Sequence, residues 1–341
     1  MEAKREYALD RIRAVAVFFT VGMHAMDNIG IYDVQLTGPL PLVTAALRML
    51  FTACVPMFLL LSGWLCHTRT LSRRHWESAL RLLETYLLCS LLCLVYRYFA
   101  GETITPRYAL SALLNFYASG YAWYVMMYLG LLLMMPFLNL AFNHLESQRQ
   151  RQLLILCLFV LSHLPSLLNA RVQLLSVWWK NLYPLTYYFT GAYLSLYRPQ
   201  LSARKLLGLL ALWIALCLGF NRLVYGVEGA SLIGVTYDHF EVYGVGLLCF
   251  CLLLKLPEPR PALLRRAVSR IAGLSFAAYL LSWISDGVLY PAFVSHVPGV
   301  YLRLPWALPL ALVSFVLALA LAQGESWLQS FLHQSRRFER P

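Results

Sequence analysis

The chain has 341 residues, is 60% hydrophobic and only 13% charged, and carries 28 Lys+Arg against 16 Asp+Glu for a net charge of +12. A soluble domain has about a quarter of its residues charged, so this composition, with a mean hydropathy of +0.62, excludes a soluble two-domain protein. The basic excess lies in short segments between apolar runs, with no basic tail and no aromatic–basic interleaving, which excludes nucleic acid as a partner.

Apolar runs follow one another at roughly 9–27, 42–66, 78–100, 121–142, 152–168, 176–197, 205–225, 231–256, 268–294 and 304–323. A bilayer core needs about 20 apolar residues per helix, so the runs predict an all-α polytopic membrane protein of about ten transmembrane helices. The first run opens with charges as a signal peptide does, but no small-residue cleavage site follows it, and it reads as a retained helix. The stretch from Tyr108 to Tyr117 is too short to span and fits an interfacial position.

Orientation follows from counting Lys and Arg. With the N-terminus inside, eighteen fall in cytoplasmic segments, among them Lys4, Arg5, Arg69, Arg73, Arg74, Arg336, Arg337 and Arg340. Six fall outside and four, Arg11, Arg13, Arg48 and Arg81, lie within the runs. That bias predicts both termini in the cytoplasm. All eight cysteines sit inside apolar runs without a CxxC pair, and the eight histidines form no ligand-spaced cluster, so neither a disulfide framework nor a metal site is expected. No Walker motif and no GxGxxG is present.

An ionisable group in a spanning helix costs several kcal/mol, from about 2.5 upward, and needs a partner or a function. In the first run, Asp10 and Arg13 are three residues apart and share a helix face. Arg13 and His24 are eleven apart, which at about 100° per residue is three turns plus about 20°, so both point the same way, about 16 Å apart along the axis. Each could snorkel to its own interface; an imidazole titrating near neutrality could equally take a proton from a hydroxyl.

Several segments, in order, resemble one family. Leu9-Asp10-Arg11-Ile12-Arg13, with His24 after it, is similar to the "LDxxR…H" opening of the acyltransferase 3 family of polytopic membrane O-acyltransferases. Val55-Pro56-Met57-Phe58-Leu59-Leu60-Leu61-Ser62-Gly63-Trp64-Leu65 resembles its "vPlFFxxSGfL", Trp123-Tyr124-Val125 through Met135-Pro136 its "HLWFL…P" helix, and Tyr187 to Gly191 its "fxxGy". The resemblance covers essentially the whole chain, 1–341, as a single transmembrane domain. Three positions depart from the pattern: Ser78 stands at the first place of the "RxxR" pair that Arg81 completes, Tyr121 where His is usual, and Ser282 at the end of "YLxH".

The resemblance implies an enzyme that takes an acyl group, most often acetyl, from cytoplasmic acyl-CoA to a hydroxyl of an extracytoplasmic cell-envelope glycan in a bacterial inner membrane. It implies His24 as general base or acyl carrier, Arg13 as the group orienting the donor arm, and Asp10 as its support. Arg69, Arg73, Arg74 and Arg81 are then candidates for the CoA phosphates, although cytoplasmic loops carry such an excess for topology alone. Trp123, Tyr124, Asp238, Glu241 and Ser62 are candidates on the acceptor side; interfacial aromatics, solvated acids and helix packing explain them as well. Acetyl-CoA or another acyl-CoA is the only cosubstrate implied, and no metal. Expected partners are that donor, the glycan acceptor and membrane lipids, and a homo-oligomer is compatible with the sequence. A transporter or small-molecule binding module without covalent chemistry is the competing class, but no inverted repeat with matching broken helices is evident.

Overall fold

The computed structural model describes residues 6–35, 37–227 and 236–338. Lys4, Arg5, Arg340 and the opening residues 231–235 of the predicted eighth span lie outside the described residues, as do the side chains of Arg336 and Arg337. Among the described residues every regular element is helical. In chain order these are α1 (Tyr7–Asn28), α2 (Pro39–Phe51), α3 (Cys54–Cys66), α4 (Arg73–Phe99), α5 (Pro106–Leu114), α6 (Trp123–Asn143) and α7 (Gln148–Ser162). They are followed by α8 (Leu164–Leu168), α9 (Tyr183–Leu196), α10 (Ala203–Tyr225), α11 (Phe240–Lys255), α12 (Ala262–His296), α13 (Val300–Arg303) and α14 (Ala307–Phe338).

Among the described residues, six stretches are long and apolar enough to cross a membrane: Pro39–Cys66, Arg73–Phe99, Trp123–Asn143, Ala203–Tyr225, Ala262–His296 and Val300–Leu332. The predicted spans at 9–27, 152–168 and 176–197, and the described part of 231–256, do not reach that standard. For three the reason is length: α7, α9 and α11 have 15, 14 and 16 residues, or about 21–24 Å of rise against a hydrocarbon core of about 30 Å. The 22-residue α1 is long enough, and what sets it apart is the polar load of Asp10, Arg11, Arg13, His24 and Asp27. Run 42–66 is not one continuous helix, because Thr52 and Ala53 form a turn between α2 and α3. Long lipophilic stripes remain exposed on the outer helices, for example Leu80, Leu87, Leu91 and Val95 along α4. On a soluble protein such a stripe would be an anomaly; on a multi-pass membrane protein it is the lipid-facing side.

The centre is built by α1, α3, α9, α11 and α12, with α1 packed against α12, α14, α3 and α11. The tightest crossing, α3 on α9, is made by two glycines. A Cβ on Gly63 would run into the carbonyl of Tyr188, and one on Gly191 into the carbonyl of Leu60. The two backbones therefore touch, as small residues permit between membrane helices; close packing is what Ser62-Gly63 suggest from their size, and Gly191 supplies the matching small residue on α9. The predicted short segment near Tyr108 is the nine-residue α5, started by Thr105 capping Tyr108 N and by Pro106.

The lower end of α3 is held by a polar clamp. Asn139 of α6 is 2% exposed and donates to the carbonyls of both Cys66 and Arg69 at 2.7 Å, while its own oxygen accepts from Tyr188 Oη at 2.6 Å. Helix C-termini leave carbonyls without intrahelical donors, and the Asn139 amide serves one of these, at Cys66, together with the loop carbonyl of Arg69. Asn143 repeats the device one turn on, donating to the carbonyl of His67 at 2.8 Å. The loop that carries Arg69 is thus fixed by α6 and α9.

Candidate functional site

A cavity of about 250 Å³ runs between the central helices. From α1 it is lined by Arg13, Thr20 and His24, three residues that the helical repeat puts on one stripe. The predicted common face of Arg13 and His24 therefore faces a single cavity, and the two mark its length along α1.

Near Arg13 the wall holds Cys66 and Arg69 from the end of α3, with Leu65 and Leu82 beside them. Arg13 Nη1 stands 3.6 Å from Asp10 Oδ1, the pairing expected from their spacing. Asp10 is almost fully buried and also accepts from Ser269 Oγ at 2.8 Å, so α12 anchors the carboxylate that orients Arg13. Arg69 is exposed and has no acidic partner among the described residues. Arg73, Arg74 and Arg81 are exposed on the first turns of α4, outside the cavity lining. Arg73 is committed to Glu77 at 3.1 Å, and Arg81 Nη2 donates to Ser78 Oγ at 3.3 Å.

The middle is apolar and aromatic. Phe58, Leu61 and Phe276 line it with Tyr124, Tyr128 and Tyr279. Tyr124 and Tyr128 stack at 5.6 Å, as residues four apart on α6 can, and Tyr279 meets Tyr124 edge-on. Ser62 lines the cavity as well as packing: its hydroxyl donates to the Phe58 carbonyl at 2.8 Å and contacts Tyr128 Oη at 3.2 Å.

At the far end stand His24, Trp123 and Tyr237. Trp123 stacks on Tyr237 with centroids 5.4 Å apart. The His24 imidazole lies flat on the Tyr121 ring, centroids 3.4 Å apart and planes 19° from parallel, and its buried Nδ1 has no hydrogen-bond partner among the described residues. Tyr121 is itself held on three sides. Its hydroxyl donates to Asp286 Oδ2 at 2.8 Å and accepts from Asn28 Nδ2 at 3.3 Å, and its carbonyl accepts from Tyr279 Oη.

Of the predicted site residues, the structure brings His24, Arg13, Ser62, Arg69, Trp123 and Tyr124 to the cavity wall and Asp10 directly behind it. Asp238 and Glu241 do not line it. Asp238 accepts from Thr236 Oγ1 at 2.6 Å in the loop before α11. Glu241 is 2% exposed, stands 3.5 Å from His239 Nδ1, and belongs to the seam with α10, where its carbonyl takes the Trp213 indole N–H. Asp238 and Glu241, three residues apart, do not share a helix face because Asp238 precedes the helix, where the helical repeat does not apply. Tyr237, one residue earlier, is the one that reaches the cavity.

The site residues named from the sequence leave out Tyr121, Tyr128, Tyr237 and Tyr279; tyrosines in apolar runs carry no distinctive spacing, and only Tyr121 stands out, at a place where the family pattern has His. Arg48 does carry a signal, a charge inside the 42–66 run. It is 3% exposed, 3.6 Å from Asp27 Oδ1, and bonded to the Tyr32 hydroxyl, one turn beyond His24. Asp286 is bound by Tyr121 and by Ser314 Oγ at 2.5 Å, not by Arg303. Arg303 turns to the carbonyls of Val297 and Pro298.

A family model described as an acyltransferase domain, of the acyltransferase 3 type, matches residues 6–323. No curated protein and no solved structure matches the chain.

Proposed function

The chain belongs to the acyltransferase 3 family, and from that premise we propose that it moves an acyl group, acetyl by preference, from cytoplasmic acyl-CoA to a hydroxyl of an extracytoplasmic cell-envelope glycan, in a bacterial inner membrane with both termini in the cytoplasm. The observation that carries the reading is the joint lining of one elongated cavity by Arg13, Arg69 and His24.

The wall chemistry suits such a donor. Cations gather at one end, apolar and tyrosine side chains fill the middle, and an imidazole stands at the other end. A volume of about 250 Å³ is right for an extended pantetheine arm and too small for the nucleotide. Arg69 and Arg13 hold the anionic end of the donor at the mouth, and Arg74 and Arg81, exposed on α4, add positive potential outside it. Arg73, paired with Glu77, contributes less. When bound, the donor supplies an activated thioester carbon.

His24 receives the proton of the acceptor hydroxyl as the new ester bond forms and the C–S bond breaks, then returns that proton to the departing sulfur. Tyr121, stacked on the imidazole, fixes the ring plane so that the basic nitrogen needs little reorganisation. The role of Arg13 follows from its separation of about 16 Å from His24 along α1: it positions the donor and takes no part in proton transfer. Asp10, buried and tied to Ser269, keeps Arg13 turned toward the cavity.

Mass spectrometry of envelope glycans tests this reading, in cells expressing the wild type, expressing His24→Ala, or lacking the protein. An acetyl increment present only with the wild type is the expected result. Three identical profiles, with both proteins verified in the membrane, would overturn it and bring the transporter or binding-module class forward.

A further inference from the structure

His24 has a second cavity as its neighbour, of about 400 Å³, lying against the Tyr121 ring. The two cavities share no lining residue, and the stacked His24–Tyr121 pair stands between them, His24 lining one and Tyr121 the other. Nothing in the site described above uses this second space.

Its chemistry is specific. Four aromatic rings, Tyr96, Tyr121, Trp283 and Tyr290, face it together with the carboxylates of Glu102 and Asp286. Tyr290 is 2% exposed, yet its hydroxyl has no hydrogen-bond partner among the described residues. A buried hydroxyl without a partner costs about 1–3 kcal/mol, which a ligand's polar group recovers once a turn of the Tyr290 side chain brings the hydroxyl to the cavity. Pro291, inside α12, has no N–H to offer the Gly287 carbonyl, and both residues line the cavity. Asn28 adds an amide.

Aromatic faces for C–H surfaces, together with carboxylate, amide and carbonyl acceptors, fit a ring that carries several hydroxyl donors. The charge excludes an anionic ligand. The nearby cation, Arg97, is already bound by both Glu102 oxygens at 2.8 and 2.9 Å and lies over the Trp283 ring at 4.4 Å.

We propose that this second cavity seats a neutral sugar ring of the acceptor, with Tyr121 as the partition between that ring and His24. The proposal rests on the acyl-transfer reading and adds to it the place where the acceptor binds. The partition is held by hydrogen bonds that a sugar competes for. Asp286 and Asn28 hold the Tyr121 hydroxyl, so hydroxyls arriving at Asp286 offer it replacement donors and release the ring. The freed Tyr121 ring then slides in its own plane, keeping its stack on His24, and opens a path past its edge from the acceptor hydroxyl to the imidazole.

The test uses the full chain in membrane vesicles with radiolabelled acetyl-CoA and the native envelope glycan, and in parallel acetyl-CoA binding to the purified protein. Tyr290→Phe removes only the unpartnered hydroxyl, and Val294→Trp fills the space from its wall. The expected result for Tyr290→Phe is an acceptor KM raised about 3- to 10-fold at nearly constant kcat, the effect of one lost hydrogen bond. Val294→Trp is expected to lower transfer by at least about 10-fold. Acetyl-CoA binding should stay at the wild-type value in both. Wild-type transfer kinetics in both variants, with His24→Ala inactive, would overturn the cavity assignment and leave the acyl-transfer reading standing. So would a loss of acetyl-CoA binding in Tyr290→Phe, which would make the cavity part of the donor site. If Val294→Trp fails to accumulate, Tyr290→Phe decides. A wild type that transfers nothing would overturn the acyl-transfer reading itself, and this proposal with it.

Discussion

The two ends of the central cavity are built on opposite principles. The end around Arg13 and Arg69 is cationic and open: Arg69 is exposed, and Arg13 stands 3.6 Å from Asp10. The end around His24 is closely packed, with the imidazole on Tyr121, Tyr121 on Asp286, and Asp286 on Ser314. An exposed cation such as Arg69 suits the capture of a mobile polyanion, where field and adaptability matter more than geometry. A ring locked by stacking and hydrogen bonds suits a proton transfer, where small misplacements are costly. The difference teaches that the two ends respond to different perturbations, and that each can be altered without the other.

The largest expected effect is at the packed end. His24→Ala should lower acyl transfer by about 10²- to 10⁴-fold, the usual contribution of a positioned base, while acetyl-CoA binding stays within about 2-fold. Transfer in vesicles alongside binding to the purified protein measures both; parallel losses in the two would erase the contrast between the ends.

Next comes the scaffold of the open end. Asn139→Leu takes the side-chain donor from the Arg69 carbonyl and the acceptor from the buried Tyr188 hydroxyl, and leaves the Cys66 carbonyl with the Arg69 N–H alone. Each lost partner costs about 1–3 kcal/mol, so a marked drop in thermal stability is expected, visible as a lowered Tm in detergent. An unchanged Tm would mean that the α3–α4 loop is fixed by something other than this clamp.

Arg69→Gln should weaken acetyl-CoA about 10-fold and flatten its dependence on ionic strength, because an exposed charge acts through a screened field. Arg73→Gln serves as the comparison, and with its side chain already paired to Glu77 it should shift affinity less than about 2-fold. Equal effects of the two would reduce the arginines to a diffuse topology signal. The smallest effect is expected from Tyr121→Phe, which keeps the stack on His24 and removes the bonds to Asp286 and Asn28. Transfer should change by about 3- to 10-fold with donor affinity untouched, read as a change in acceptor KM.

How much of this was legible in advance depends on whether the relation lies within one helix. Asp10, Arg13 and His24 sit on one helix whose repeat is fixed by backbone geometry, so their common face and the Asp10–Arg13 pair follow from spacing alone. The same rule failed for Asp238 and Glu241, because α11 begins only at Phe240. Run lengths overstated what several helices can do: 152–168 breaks between α7 and α8 at His163, and 176–197 begins in a 3-10 turn over Val177–Leu182 before α9.

The sequence by itself determined the class of protein, from its apolar share, and the stripe on α1 along which the chemistry is arranged. Only the tertiary structure decided which side chains meet across helices: Tyr121 against His24, Asp286 against Tyr121 and Ser314, Asn139 beneath α3, Arg48 with Asp27. Those meetings depend on how closely and at what register the helices pack, and that is set by contacts such as Gly63 on Tyr188 and Gly191 on Leu60, residues far apart in the chain. Periodicity is a property of one backbone, whereas a site shared by α1, α3, α6 and α12 is a property of their packing.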